Sequence, residues 1–150
     1  MFKKGFISGM FDPLHAGHIE IFRQAKEMCE YLIVAVGTDD FIRVRKKHEP
    51  LIPFEQRRII IESIRYIDCV VPIENLDKVA MYKKYNFDVM IAGADHRREE
   101  SYIRTSEALS IFGVPTVYIE RVKDISSTKI KQRMAKLEHD YLVDSSNQKK

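Results

Sequence analysis

A chain of 150 residues with 45% hydrophobic and 31% charged side chains is long enough for one domain with a core of its own. Its apolar runs are far shorter than a membrane span, and its start, Met1-Phe2-Lys3-Lys4-Gly5-Phe6, lacks the apolar centre of a secretion signal, so we expect a cytoplasmic protein. A net charge of +3, dispersed along the chain, gives no argument for nucleic acid and suits small anions; two isolated cysteines accord with a reducing compartment.

Short apolar runs rich in Val and Ile alternate with segments of helical periodicity, the pattern of a parallel sheet covered by helices. In chain order we read strand 4–9, helix 17–30, strand 31–37, helix 54–66 and strand 69–73. Helix 76–86, strand 88–93, a helix within 99–112, strand 115–120 and helix 126–138 follow. This predicts a three-layer α/β domain over 1–143 with a five-stranded parallel sheet, and a polar, frayed tail over 144–150. Right-handed crossovers put the loops after the strands on one edge, where open parallel sheets bind ligands.

The loop after the first strand, Gly9-Met10-Phe11-Asp12-Pro13-Leu14-His15-Ala16-Gly17-His18, hands over to an amphipathic helix. A helix start leaves backbone N–H groups free and favours anions, and His15 and His18 can donate hydrogen bonds to phosphate oxygens. A metal half-site or two solvated caps are the alternatives; no cysteine or acidic cluster lies beside the histidines to favour metal. Thr38-Asp39-Asp40, Gly93-Ala94-Asp95-His96-Arg97-Arg98 and Arg121 to Thr128 are polar loops after other strands. Neither a P-loop nor a Gly-x-Gly-x-x-Gly fingerprint is present. Phe41 to Pro53, with Arg43, Arg45, Lys46, Lys47 and His48, reads as a mobile basic loop or as a solvated charge run. On helix 54–66, Arg57, Arg58, Glu62 and Arg65 are open to structural salt bridges or to a site. Ser126-Ser127-Thr128 opens the last helix with three hydroxyls where a plain cap needs one, a second anion cradle.

The stretch Gly9-x-Phe11-Asp12-x-x-His15-x-Gly17-His18 resembles the His-x-Gly-His signature of the nucleotidyltransferase superfamily that includes cytidylyltransferases and several adenylyltransferases. Tyr31 to Asp39, Arg57 with Glu62 to Asp68, and Arg121 with Ile125 to Ile130 are similar, in order and spacing, to small bacterial glycerol-3-phosphate cytidylyltransferases. The resemblance implies a Rossmann-like fold and transfer of a nucleotidyl group from CTP to an alcohol phosphate, with Mg2+ arriving on the triphosphate. It implies catalytic roles for His15, His18, Lys47 and Arg121. Nucleotide contacts fall on Gly9, Met10, Phe11, Gly17, Asp39, Arg65, Gly93, Asp95, Ile125, Ser126, Ser127 and Thr128. Acceptor contacts fall on Asp12, Arg45, Arg57 and His96. No protein metal ligands are implied, and a homodimer is. Two departures stand out: Val122-Lys123-Asp124 replaces Thr-Glu-Gly, and Ala94-Asp95-His96 replaces Asp-Asp-Trp ahead of an inserted run. The second, with its inserted run, points to a bulkier or more anionic acceptor. Adenylyl transfer from ATP to a sugar phosphate or pyridine nucleotide, and a non-catalytic nucleotide-binding module, are the competing readings.

Overall fold

The computed structural model describes residues 1–148. Its elements are β1 (Phe2–Gly9), α1 (Ala16–Met28), β2 (Cys29–Gly37), α2 (Asp39–Lys46), α3 (Phe54–Glu62) and β3 (Cys69–Ile73). Then come α4 (Lys78–Tyr85), β4 (Val89–Gly93), a 3-10 turn (Ala94–Arg98), α5 (Glu100–Ser110), β5 (Thr116–Ile119) and α6 (Ser127–Asn147). The five strands form one parallel sheet in the order β3-β2-β1-β4-β5, with Gly9 paired to Val36 and Ile7 to Ile91. Strand order reverses between β1 and β4, so their carboxyl ends flank the crevice where such sheets take ligands.

Period-two alternation sorts each strand's side chains between two helix layers. Ile7, Leu32, Val34 and Ile91 pack with Phe22 and Ala25 of α1 and Ile61 of α3. Phe6, Ile33, Ala35 and Met90 face the other way, toward Phe87, Leu109 of α5 and Val79 and Tyr82 of α4. Phe6 and Phe87 stack with ring centroids 4.4 Å apart. Both faces of the central strands are therefore apolar, and each fully buried Phe, Leu or Ile contributes about 1.5–3 kcal/mol.

Three sequence expectations change. The predicted basic loop starts as a helix: Thr38 Oγ1 accepts from Phe41 N at 3.2 Å, Asp39 and Asp40 fill the first turn, and Ile42 is buried. Acids early and Arg43, Arg45 and Lys46 late suit the helix dipole, and Lys47 ends α2 in the left-handed conformation at φ 61°. The first helix stops at Met28 because Cys29 already pairs in β2. At the other end, α6 runs to Asn147, so residues 144–147 are helical where a frayed tail was expected; Lys149 and Lys150 lie outside the described residues. Among the described residues no helix is long and apolar enough to cross a membrane.

Candidate active site

The turn after β1 is built around Phe11, a bulky residue held at φ 52° and buried at 7% exposure. Its ring lies edge-on to His18, 5.0 Å between centroids, and against Phe22 at 5.3 Å. Gly9 makes room for it: a Cβ there would stand 2.8 Å from Phe11 Cζ. Phe11 thus forms the floor on which His18 rests.

The two imidazoles cap α1 reciprocally. His15 Nδ1 accepts from Gly17 N at 3.1 Å, and His18 Nδ1 accepts from His15 N at 3.2 Å. The rings stack 3.8 Å apart, and a Cβ on Gly17 would lie 2.9 Å from His15 Nδ1 and Cε1. A nitrogen that accepts carries no proton, so each neutral ring bears its hydrogen on Nε2. His15 Nε2 is enclosed and has no partner within the protein. Burial, His15 and Arg121 lower His18 to about 3, and burial with Arg121 lowers His15. The free protein therefore presents uncharged N–H donors, preorganised by backbone, for an incoming anion.

Arg121, two residues beyond β5, is fixed from the β4 end. Its Nε meets Asp95 Oδ1 at 2.6 Å and its Nη2 donates to His96 Nε2 at 3.3 Å. His96 Nδ1 in turn contacts Glu99 Oε1 at 2.9 Å, while its ring stacks on Tyr102 at 4.5 Å. The start of α6 is tied to the same place: Ser126 caps it by accepting from Lys129 N, and Ser127 Oγ donates to Pro13 O at 2.9 Å.

These groups surround a cavity of about 810 Å³ at the carboxyl edge of the sheet. Gly9, Met10, Phe11, Asp12, His18, Gly93, His96, Arg121, Ser126, Ser127 and Thr128 line it. His15, Gly17 and Ile125 line a small recess beside it, shared with His18 and Arg121. Two anion-favouring helix starts, the neutral imidazole of His18 and a guanidinium converge on a space large enough for a nucleotide, with His15 in the adjoining recess.

The cytidylyltransferase-like family matches residues 6–133, most of the chain. The chain belongs to that family of nucleotidyltransferases. It is 37% identical over 133 residues to a glycerol-3-phosphate cytidylyltransferase of Staphylococcus aureus, covering 88% of this chain and 95% of that one. It is also 29% identical over 150 residues to an FAD synthase of Ferroglobus placidus, covering 98% and 97%. A lipopolysaccharide core biosynthesis protein of Thermoplasma volcanium shares the fold, with TM-score 0.67 and 20% identity over 83% of this chain and all of that one.

Against the family pattern, five of the sequence-predicted residues line neither the cavity nor its recess. Arg57, expected at the acceptor, is 1% exposed, and its donors are engaged by Ile52 O, Met10 O, Gly37 O and Asp39 Oδ1. Asp39, expected at the nucleotide, accepts from Arg57 and from Phe54 N at 2.8 Å. Both hold the site's frame. Arg65 lies exposed against Tyr66, its guanidinium 5.1 Å from the ring centroid. Lys47 stands exposed at the end of α2, whereas Arg45, Lys46 and His48 line the cavity. Asp95 is likewise off the wall but holds Arg121. Asp12 is on it, with its carboxylate oxygens accepting from Leu51 N at 2.7 Å and Ile52 N at 2.8 Å. Lys78, Tyr102, Thr105 and Lys131 also line the cavity, unforeseen from sequence. The loop after β3 obeys the same carboxyl-edge rule as the other four, which brings the start of α4 to the cavity.

Proposed function

We propose that this chain transfers CMP from CTP to a small alcohol phosphate of the glycerol-3-phosphate type. An acceptor phosphate oxygen attacks the α-phosphorus in line, the bond to the bridging oxygen breaks, and pyrophosphate leaves with that oxygen. The observation that carries the reading is the pair of neutral Nε2–H donors beside Arg121, within a chain that matches a glycerol-3-phosphate cytidylyltransferase over nearly its whole length. His15 and His18 donate to the phosphates at the α1 start, and Arg121 with the first turn of α6 holds the leaving pyrophosphate. Charge growing on these oxygens meets dipoles already in place, so little reorganisation is needed. Arg45 rather than Lys47 is the α2 cation that bridges both substrates, since Arg45 is on the cavity wall.

Magnesium has no donor set of its own here. Among the described residues no three His, Cys, Asp or Glu groups converge, and both oxygens of Asp12 already accept backbone N–H groups. On this reading the ion enters on the triphosphate, as the family resemblance implies, and screens its charge as part of the substrate.

The FAD synthase relative, matched over 97% of its length, favours one second reading: adenylyl transfer from ATP. Initial rates of pyrophosphate release with CTP and with ATP, each against glycerol-3-phosphate, other alcohol phosphates and FMN, separate the two. Turnover with CTP and an alcohol phosphate supports the proposal; turnover confined to ATP replaces it.

A further inference from the structure

Helix α6 leaves the domain soon after it begins. Ser127 Oγ donates to Pro13 O at 2.9 Å, and Lys131 Nζ stands 3.7 Å from a carboxylate oxygen of Asp12. Beyond Lys131, among the described residues, the side-chain bonds of the helix run from Ser145 to Tyr141 O and from Ser146 to Val143 O, within α6 itself. Every residue from Gln132 to Asp144 is exposed. The family match over residues 6–133 stops at the same place. An isolated helix of this length is marginal in water, because helices in proteins are held chiefly by packing an apolar face.

The projecting part of α6 carries such a face. Ile130, Met134, Leu137 and Tyr141 recur at alternating four- and three-residue spacing, one stripe along the helix. Ile130 is half-buried at the domain edge, whereas Met134 is 49% exposed, Leu137 55% and Tyr141 74%. Charge is sorted beside the stripe. Helical geometry places Lys131 and Glu138 along one flank and Arg133 and Asp140 along the other. Each flank is therefore basic toward the domain and acidic toward the far end. Among the described residues the ion pairs of α6 are Lys129 with Asp124 and Lys131 with Asp12, which leaves Arg133, Glu138 and Asp140 unpaired.

A helix whose two flanks both run from basic to acidic is complementary to itself turned end for end. We propose that α6 pairs antiparallel with α6 of a second copy of this chain. Met134 then packs against Leu137 and Ile130 against Tyr141, while Arg133 faces Asp140 on one flank and Lys131 faces Glu138 on the other. The two-fold axis repeats each contact. A parallel pair would match only Arg133 with Glu138. A membrane surface suits a helix with a basic polar face, whereas here Glu138 and Asp140 would be pressed toward the headgroups. The contact uses the projecting helix alone and is separate from any pairing through the α/β domain.

Disulfide trapping in the full-length chain tests this, with Cys69 replaced by Ser and the buried Cys29 left in place. Under mild oxidation, Met134→Cys chains mixed with Leu137→Cys chains form a covalent dimer. The yield is about tenfold above that from Gln132→Cys mixed with His139→Cys, which set the thiols at matching heights on the opposite face. Arg133→Glu in both trapping chains lowers the yield about tenfold, because each Glu then meets Asp140. Arg133→Glu in one chain with Asp140→Lys in the other restores it, which separates lost pairing from a melted helix. Equal yields on the two faces, preferential trapping of Met134→Cys chains with one another, or a yield indifferent to the charge changes overturns the proposal. Co-sedimentation of the chain with phosphatidylglycerol vesicles and no trapped dimer assigns the stripe to a lipid surface instead. Trapping needs no turnover, so its outcome is independent of the reaction proposed above.

Discussion

Replacing Arg57 by Met separates a structural role from the acceptor contact that sequence suggested. The guanidinium is 1% exposed and makes bonds of 2.7 Å to Ile52 O, 2.8 Å to Met10 O, 2.6 Å to Gly37 O and 2.8 Å to Asp39 Oδ1. It therefore ties together the ends of β1 and β2, the start of α2 and the loop before α3. Methionine keeps much of the aliphatic volume but withdraws every donor, leaving three carbonyls without this partner. Asp39 is 29% exposed and still accepts from Phe54 N, so it rehydrates at small cost. Each stranded buried acceptor costs about 1–3 kcal/mol, and allowing for partial relaxation the sum is about 3–5 kcal/mol. That is a large share of the roughly 5–15 kcal/mol that holds a domain folded. Urea denaturation should show the midpoint falling with an unchanged slope. A loss below about 1 kcal/mol, accompanied by a raised acceptor KM, would refute the structural role and return Arg57 to the substrate.

Other expectations concern the capped histidines and Lys78. His18→Ala leaves the fold intact and lowers kcat/KM by about 10²- to 10³-fold, measured by pyrophosphate release; full activity in a folded variant removes His18 from the chemistry. In the free protein the His18 ring, held near 3, shows no midpoint between pH 5 and 8 by NMR, and one near 6.5 contradicts the burial argument. Its sign for stability follows: the unfolded chain takes up the proton first, so stability is lost as pH falls from about 6.5 toward 3. Gly17→Ala favours the helix by up to about 1 kcal/mol, yet its Cβ forces His15 aside, so thermal stability holds while kcat/KM falls. Lys78→Met makes the protein more stable at pH 7, by up to about 3 kcal/mol, because the wild-type ammonium titrates near 8 instead of about 10.4. The wild-type chain recovers that difference as pH rises from 8 to 10.4, so denaturation curves at pH 7 and 10 check both size and sign.

Much of this molecule was legible in its sequence, for identifiable reasons. The five strands announce themselves because both faces of a central parallel strand are buried, which writes runs such as Leu32 to Val36. The histidine turn was equally plain, since Gly9, Phe11, Gly17 and His18 are each fixed by a contact with another member of the motif. Helix α2 was hidden because its charged residues drew attention away from the Thr38 cap and from Ile42, its one buried side chain. Arg57 misled because a buried arginine satisfied by carbonyls carries no local signature: its partners lie 47 and 20 residues away at Met10 and Gly37. Lys78 was missed because its burial on the cavity wall is set by packing and has no local signature.

The central claim is nucleotidyl transfer from CTP to an alcohol phosphate. Phosphorus NMR of the protein incubated with CTP, glycerol-3-phosphate and magnesium tests it most directly. The account predicts paired doublets of a CDP-alcohol rising in step with pyrophosphate, and neither product when ATP replaces CTP. A diphosphate ester formed from ATP alone, or CTP that stays intact with every alcohol phosphate supplied, would contradict it.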